Sequence, residues 1–319
     1  MTGLPVIGTG EDFARWRASP ELWQPVVRGI ARAERVPADE IIAYEMGTNL
    51  VVDLDGTLIL KLFPPFHRSQ FASERTTLRL LDGRLSVPTP RIVAEGERDG
   101  WSYLIMTRLR GILGSDAWPT LDEAGKNGVL VSVGQAIAEV QSVPPGELLT
   151  VEPAWPAFIA GQLARCKERH ARQGLAPRLV ADLDGLLAQA PSVVPLDGPA
   201  VILTGEWIPE NLLLAETDGR WGLAGLIDFG DVMTGWHEYD LLGPSAFMCG
   251  GVVGRVLSLL DGYGVAPEAV DGPMRRRLLT LTLLHRASDL RNVHVEGWET
   301  RISKLTDLED LVWPVGDVG

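Results

Sequence analysis

The fold of this chain is indicated most clearly by the stretch Thr204-Gly205-Glu206-Trp207-Ile208-Pro209-Glu210-Asn211. Two apolar runs follow this stretch, and the turn signal Asp218-Gly219 between them predicts a β-hairpin. The residues Asp228-Phe229-Gly230-Asp231 come directly after the second run. Because Asn211 and Asp228 flank the two predicted strands, we expect folding of the hairpin to bring their side chains together.

Asn211 and Asp228 predict a divalent metal site, because amide and carboxylate oxygens are ligands that magnesium accepts in proteins. A third polar residue, Glu206, lies five positions before Asn211. A carboxylate, an amide five residues later and Asp-Phe-Gly after a hairpin have the layout of a kinase active centre. The alternative is ordinary turn chemistry, since Asn, Asp and Gly cluster wherever a chain reverses.

Length and composition limit the class of protein. A chain of 319 residues with 45% apolar residues can bury a sizeable core and is long for one domain, so we expect two lobes. Cys166 and Cys249 match no metal or redox spacing and are predicted to be reduced core residues. The chain has no signal-peptide pattern and no apolar stretch long enough to span a bilayer, which predicts a cytoplasmic protein without membrane contact.

The net charge of −13 also bears on possible partners. It disfavours nucleic acid, whose phosphates attract basic surfaces, and it favours a cationic ligand if the acidic side chains cluster near a cleft. The alternative is that the acidic surface serves solubility alone.

The N-terminal part predicts two helices followed by an antiparallel sheet. Apolar residues at helical spacing cover 9–35, with an interruption at Ser19-Pro20, because proline starts a helix but does not continue one. Five later runs have strand character. These are Ile41–Tyr44, Leu50–Val52, Leu58–Phe63, Arg91–Glu95 and Tyr103–Thr107. We assign residues 1–107 to this first lobe and residues 108–319 to a second, mainly helical lobe.

Lys61 is a candidate phosphate contact on the third of these strands. A turn at Asp53–Gly56 would place Gly47-Thr48-Asn49 close to the lysine, and a short glycine turn presents backbone N–H groups to phosphate oxygens. Isolated burial of the ammonium in an apolar strand would be unfavourable. Glu74, on the following predicted helix, is the expected partner, since an ion pair would offset burial and fix the ammonium. Simple solvent exposure of Glu74 is the alternative.

The second lobe is predicted to begin after a linker at Met106–Leu109, with a nucleotide cleft between the lobes. A short buried strand is expected at Val201–Leu203, and Asp240 is expected to accept backbone N–H bonds from the loop that follows it, although helix capping alone would also explain this aspartate. Thr120 is the candidate N-cap of the first long helix. Amphipathic helices are predicted at 121–143, 156–173 and 178–190, with further helices over roughly 251–313.

The order of these parts resembles the aminoglycoside phosphotransferase family over roughly residues 40–245. The motifs that carry the resemblance are Gly47-Thr48-Asn49, Lys61, Glu74, Val87-Pro88-Thr89-Pro90, the Met106 linker, Glu206 to Asn211, Asp228-Phe229-Gly230-Asp231 and Tyr239-Asp240-Leu241. Within the family, the chain looks most similar to hygromycin B phosphotransferases. That likeness lies in Glu21–Pro25, Lys61-Leu62-Phe63, Leu283-Leu284-His285 and Asp307–Pro314.

The resemblance implies an α+β, protein-kinase-like fold, in which a small five-stranded lobe and a larger helical lobe hold ATP or GTP with Mg²⁺. It implies Asn211 and Asp228 as magnesium ligands, and Glu206 as the catalytic base that orients the accepting hydroxyl. Further nucleotide contacts are implied for Gly47, Thr48, Asn49, Lys61, Glu74, Met106 and Arg108.

The proposed base departs from the family pattern, because the family has His-Gly-Asp where this chain has Thr204-Gly205-Glu206. Glutamate extends the carboxylate by roughly 1.3 Å, and a displacement on the order of 1 Å can lower a rate about a hundredfold. Thr204 also lacks an imidazole that can brace the loop, although its hydroxyl can form hydrogen bonds. Either the backbone is shifted to suit the longer acid, or the site binds nucleotide without efficient transfer.

Three functions therefore stay open at the level of sequence. The first is an ATP-dependent kinase that modifies a hydroxyl of an aminoglycoside-like compound and confers antibiotic resistance. The second is a metabolic kinase of the same fold that acts on another amino sugar or alcohol, and the third is a nucleotide-binding protein with weak or no transfer. We expect a monomer with a cationic small-molecule substrate. Substrate contacts are predicted for Asp231, Glu238, Asp289, Glu296 and Trp298.

Overall fold

The computed structural model describes residues 3–45 and 47–316, which form two compact units. The first, called the sheet unit, comprises the described residues of Met1–Asp82, Thr89–Arg110 and Asp228–Asp231. The second, called the helical unit, comprises those of Gly83–Pro88, Gly111–Ile227 and Val232–Gly319. Four residues from the Asp-Phe-Gly segment therefore belong to the same unit as the N-terminal strands.

The sheet unit contains the two N-terminal helices and the antiparallel sheet that the sequence predicts. Its helices are α1 (Gly10–Arg17), α2 (Pro20–Glu34) and α3 (Arg68–Leu81), with a 3₁₀ turn at Pro65–His67. Its strands are β1 (Ile41–Tyr44), β2 (Leu50–Leu54), β3 (Leu58–Phe63), β4 (Ile92–Arg98) and β5 (Trp101–Thr107), in the sheet order β1-β2-β3-β5-β4. The expected helix break is confirmed, since α2 starts at Pro20.

One face of the sheet carries the core of this unit. Side chains alternate between the faces of a strand, so Leu60 and Leu62 share a face and Lys61 points to the other. The leucines belong to a buried cluster that also contains Trp16 of α1 and Trp101 of β5. The two indole rings lie 4.9 Å apart between centroids. The apolar face is thus covered by the N-terminal helices, while the opposite face carries the charged lysine.

The hairpin of β2 and β3 turns later than expected. Asp55 and Gly56 have φ values of 52° and 67°, a left-handed pair typical of a tight hairpin turn. Leu54 consequently pairs with Leu58, and Lys61 lies opposite Val51. The expected turn at Asp53–Gly56 would have placed Gly47 beside Lys61. That expectation is wrong, because the residue opposite Lys61 is Val51, four positions later.

The described residues of the helical unit form the remaining helices and five short strands in two small sheets. Its helices are α4 (Gly114–Ala117), α5 (Glu123–Ser142), α6 (Trp155–Arg172), α7 (Pro177–Val193), α8 (Leu242–Pro244), α9 (Val253–Tyr263), α10 (Gly272–Leu284), α11 (Trp298–Arg301) and α12 (Leu308–Val312). Its strands are β6 (Ile112–Leu113), β7 (Val201–Leu203), β8 (Leu212–Thr217), β9 (Arg220–Leu226) and β10 (Met233–Gly235). β8 pairs with β6 and β9, and β7 pairs with β10, all antiparallel.

Several local expectations can be compared with these elements. The hairpin after Asn211 and the strand Val201–Leu203 are confirmed. The predicted cap Thr120 is wrong, because it lies in a 3₁₀ turn and Asp122 caps α5 by accepting the Gly125 N–H at 2.8 Å. The α+β class is confirmed by the sheet and the helices together.

The cysteines and the membrane expectation can also be checked. Cys166 and Cys249 are both buried and unpaired, as predicted. In the ranges 3–45 and 47–316, no helix has the length and apolar character needed to cross a bilayer.

Candidate active site

Lys61 lies between two carboxylates of the sheet unit. Its Nζ is 2.7 Å from Glu74 Oε2 and 2.9 Å from Asp228 Oδ1. The side chains of Lys61 and Glu74 are 5% and 2% exposed, whereas that of Asp228 is 33% exposed. The expected ion pair of Lys61 with Glu74 is therefore present and buried, and the exposed alternative for Glu74 does not hold.

Interactions within this cluster favour the charged forms of Lys61 and Asp228 but not that of Glu74, because burial raises the pKa of Glu74 to about 7 despite the nearby ammonium. Burial acts against the ammonium of Lys61, but the negative charges of Glu74 and Asp228 outweigh burial and raise the lysine pKa. Burial likewise acts against the Asp228 carboxylate, but Lys61 outweighs it and lowers the pKa of Asp228. At neutral pH the cluster thus holds a fixed ammonium beside an ionised carboxylate.

The backbone of Asp228 adopts an unusual conformation. Its φ is 64°, in the left-handed region where aspartate is one of the few tolerated residues other than glycine. The Gly230 N–H donates to Asp228 Oδ1 at 3.3 Å, and the ring of Phe229 is buried. Left-handed residues that the surroundings hold in place are concentrated at functional sites. The local geometry therefore aims one carboxylate oxygen of Asp228 at Lys61 while part of the side chain stays accessible.

The glycine loop before β2 is held by side chains that the sequence analysis did not identify. The Arg17 guanidinium, at the end of α1, donates to the carbonyl of Gly47, to that of Glu45 at 2.9 Å and to that of Asn49 at 3.3 Å. Gly47 has a φ of 100°, which L side chains rarely adopt. Because Arg17 is thirty residues from Gly47, no local pattern in the sequence could have revealed the contact.

Asn49 closes the other side of this loop. It is buried, its Nδ2 donates to Gln70 Oε1 at 3.0 Å, and its Oδ1 lies 2.9 Å from His67 Nδ1. Gly47 and Thr48 are exposed. The loop is therefore anchored at Asn49 and leaves Gly47 and Thr48 exposed, as a phosphate-binding loop requires.

Two other predicted nucleotide contacts lie on β5 and just after it. Met106 is buried within the sheet and pairs with Ile59. Arg108 donates its backbone N–H to Thr57, and its side chain forms an ion pair with Asp53 at 2.7 Å. The guanidinium of Arg108 is thus engaged within the sheet unit.

In the helical unit, the loop after β7 is fixed by Asp240. Its carboxylate accepts the N–H of Thr204 at 3.1 Å and that of Gly205 at 2.8 Å, as expected from the sequence. Burial raises the pKa of Asp240 to about 6, against the hydrogen bonds that it accepts. At neutral pH it is a carboxylate, and the two bonds to backbone donors anchor the residues immediately before Glu206.

Glu206 and Asn211 lie at the two ends of this loop and contact each other. A 3₁₀ turn at Pro209–Asn211 folds the chain back, so that Asn211 Nδ2 donates to the Glu206 carbonyl at 3.2 Å and to its Oε2 at 3.4 Å. The backbone of Asn211 pairs with Ile227, the residue before Asp228, at 3.1 Å. With Nδ2 turned to Glu206, Asn211 Oδ1 is the amide atom that can bind a cation.

The donor atoms of Asp228 and Asn211 suit magnesium. One carboxylate and one amide supply the hard oxygen ligands that this ion prefers, and it normally completes its shell with water and substrate phosphate. In the part of the chain that the structure describes, no group of three or more His, Cys, Asp or Glu side chains is arranged to hold a metal ion. Asp228 offers one hard oxygen ligand in the sheet unit, and Asn211 offers one in the helical unit.

The predicted substrate contacts have diverse environments. In the helical unit, Glu238 is buried and both of its oxygens lie 2.6 Å from Arg277 nitrogens. Asp289 is bound by Arg291, Trp298 is buried and Glu296 is exposed. Asp231 belongs to the sheet unit.

The structure brings together Lys61, Glu74 and Asp228 in the sheet unit, and Glu206, Asn211 and Asp240 in the helical unit.

Comparison with known proteins identifies a family. A model described as "Phosphotransferase enzyme family" matches residues 47–279. This match spans the glycine loop, the lysine cluster and the loop after β7. Among curated proteins, no sequence match was found.

Solved structures share the fold. The GDP complex of aminoglycoside 2'-phosphotransferase-IIIa matches with a TM-score of 0.66 and 17% identity, covering 88% of this chain and 95% of that chain. The streptomycin-ATP-APH(2")-IIa ternary complex matches with a TM-score of 0.58 and 16% identity, covering 83% and 91%. Macrolide 2'-phosphotransferase MphH from Brachybacterium faecium matches with a TM-score of 0.60 and 18% identity, covering 92% and 99%. The predicted kinase-like fold is confirmed.

Proposed function

Since the chain belongs to the phosphotransferase enzyme family, we propose that it transfers the γ-phosphoryl group of ATP or GTP to a hydroxyl of an aminoglycoside-like compound. The buried Lys61–Glu74–Asp228 cluster carries this proposal, because it holds one ammonium and one accessible carboxylate in fixed positions. These are the charges needed to bind a triphosphate and its magnesium ion. The net charge of −13 supports a cationic substrate.

The roles of the residues follow from their chemistry. Lys61 balances the charge of the phosphate oxygens, and the glycine loop at Gly47 contributes backbone N–H donors. Asp228 and Asn211 would each offer an oxygen ligand to magnesium, which would supply positive charge to neutralise the transferred phosphoryl group. Glu206 accepts the proton of the acceptor hydroxyl while the oxygen of that hydroxyl bonds to the γ-phosphorus. The bond between the γ-phosphorus and the oxygen that bridges it to the β-phosphorus breaks, which releases the nucleoside diphosphate.

A panel of acceptors tests this proposal. We would incubate the purified protein with Mg²⁺, with ATP or GTP, and with hygromycin B, other aminoglycosides, small amino sugars, macrolides and metabolic alcohols. A product heavier by one phosphoryl group is expected from a cationic aminoglycoside. A product formed solely from a small amino sugar or an alcohol would instead favour a metabolic kinase. Tight nucleotide binding without product from any acceptor would contradict transfer and favour a nucleotide-binding protein.

Replacement of Arg17 by alanine is expected to weaken nucleotide binding. The change frees three loop carbonyls from a charged donor, and hydrogen bonds to charged groups contribute about 1.5–3 kcal/mol when buried and less near the surface. The KM for nucleotide should rise about tenfold, equivalent to roughly 1.4 kcal/mol, with kcat changed less than about twofold. Steady-state kinetics with varied nucleotide measures this effect.

Arg15→Ala is the matched control for Arg17→Ala. Arg15 lies on the same helix but pairs with Glu11 and Asp12 of that helix. An equal rise in KM for both variants would mean that the effect comes from the stability of α1 rather than from the loop.

A further inference from the structure

His285, the residue after α10, donates to the catalytic loop. Its Nε2 lies 3.1 Å from the Gly205 carbonyl oxygen, and its Nδ1 accepts the Ala287 N–H at 3.2 Å. Because Nδ1 is an acceptor, the proton of the neutral ring is on Nε2, where it points at Gly205. Burial of the ring also lowers the pKa of His285 to about 4, so the imidazole is neutral at physiological pH.

The orientation of this ring is fixed by its neighbours. The Tyr239 ring stacks on it with centroids 4.7 Å apart and an angle of 21° between the planes. Tyr239 is itself buried, and its hydroxyl accepts the Arg286 N–H at 3.1 Å. The imidazole is therefore held by stacking on one face and by the Ala287 bond at Nδ1, which leaves Nε2–H in a defined direction.

Gly205 is consequently bound at both of its backbone polar groups. Asp240 accepts its N–H, and His285 donates to its carbonyl. Gly205 has a φ of 70°, and a Cβ there would lie 3.5 Å from the Tyr239 ring, so glycine suits the position. The Gly205 carbonyl and the Glu206 N–H share one planar peptide group, so fixing this carbonyl fixes the peptide plane from which Glu206 extends.

We infer that His285 is a positioning residue, which sets the Glu206 carboxylate by holding the Gly205–Glu206 peptide plane. The inference rests on the proposed phosphoryl transfer, in which Glu206 is the base. The longer glutamate needs a defined starting plane more than aspartate does, because each added rotatable bond increases the spread of carboxylate positions. His285, which follows α10, thus braces this loop with an imidazole that Thr204 does not have.

Two amide substitutions separate the two hydrogen bonds of His285. In His285→Gln the amide nitrogen can occupy the place of Nε2 and keep the bond to Gly205. In His285→Asn the shorter amide can occupy the place of Nδ1 and keep the bond to Ala287 while it loses Gly205. Both variants lose the imidazole and its stacking on Tyr239, so they are matched in that respect.

Kinetics of the two variants test the inference. His285→Asn should lower kcat about thirtyfold, since small misplacements of a catalytic group have effects of this order, with the KM for nucleotide changed less than about twofold. His285→Gln should keep kcat within about threefold of the native value. Equal kcat in the two variants, or a loss that appears in KM alone, would overturn the inference.

Two measurements do not depend on turnover and keep the inference separate from the proposed function. Hydrogen exchange of the peptide that covers Gly205–Asn211 should be faster in His285→Asn than in His285→Gln, and equal exchange would count against loop positioning. In the native protein, ¹⁵N-imidazole NMR should show the proton of His285 on Nε2, with the ring assigned by its proximity to Tyr239. A proton on Nδ1 would overturn the inference even if neither variant folds.

Discussion

Replacement of Asp228 by asparagine is expected to reduce phosphoryl transfer by about a thousandfold in kcat, since loss of one preorganised electrostatic contact at a reacting centre has effects on the order of 10²–10³. The amide keeps the size of the side chain but removes the charge proposed to hold magnesium. Lys61 retains Glu74 at 2.7 Å, so the buried ammonium stays paired and the fold is expected to persist. Coupled measurement of nucleoside diphosphate release gives kcat, and titration with Mn²⁺ in the presence of nucleotide gives the metal affinity.

Asp218→Asn is the matched control for Asp228→Asn. Asp218 has a positive φ like Asp228 and lies in the exposed turn of the hairpin that precedes it. Asparagine tolerates this backbone conformation, so the control tests the chemical exchange without the proposed ligand. Native-like turnover in Asp228→Asn, or unchanged Mn²⁺ affinity, would remove Asp228 from the metal site and with it the basis of the proposed function.

Replacement of Glu206 by glutamine should lower kcat by about a thousandfold with little change in the KM for nucleotide, because general base catalysis typically contributes 10²–10⁴ in rate. Glutamine keeps the contact with Asn211 Nδ2 through its carbonyl oxygen but cannot take up the proton. Turnover with saturating acceptor isolates this effect. Glu210→Gln makes the same exchange at an exposed residue of the same loop and should leave kcat unchanged.

The shorter Glu206→Asp variant distinguishes the two explanations of the glutamate. If the loop is built for the longer acid, retraction of the carboxylate by roughly 1.3 Å should lower kcat, by up to about a hundredfold. The anchoring of Thr204 and Gly205 by Asp240 supports this outcome. A large gain in kcat would instead mean that the native site is compromised for transfer.

Features that depend on local chemistry could be predicted from the sequence. The Asp218-Gly219 turn and its flanking apolar runs determine the hairpin of β8 and β9. The ion pair of Lys61 with Glu74 follows from the unfavourable burial of a lone ammonium in an apolar strand. The anchoring of Gly205 by Asp240 could also be anticipated, since a buried carboxylate near a loop needs backbone donors.

Features that depend on tertiary contacts were missed. Arg17 and His285 reach loops that lie 30 and 80 residues away in sequence, and no periodicity or spacing links them to those loops. The register of β2 and β3 was misplaced for a different reason, because the turn was centred too early, although Asp55-Gly56 is the same turn dipeptide as Asp218-Gly219 and both of its residues adopt positive φ. Thr120 was named as the cap of the first long helix, but Thr and Asp both suit N-caps, and the backbone path gives this role to Asp122.

The membership of Asp228–Asp231 in the sheet unit has a consequence for how the polypeptide matures. On the ribosome, a nascent chain that ends near residue 110 already contains every strand of the five-stranded sheet but not the second acid that neutralises Lys61. The sheet unit is completed only after 231 residues have been synthesised. Truncated genes that encode the first 110 residues should therefore yield a product that retains the Lys61–Glu74 ion pair but lacks Asp228–Asp231 and most of the helical unit, and this product should be more prone to degradation than the full-length polypeptide.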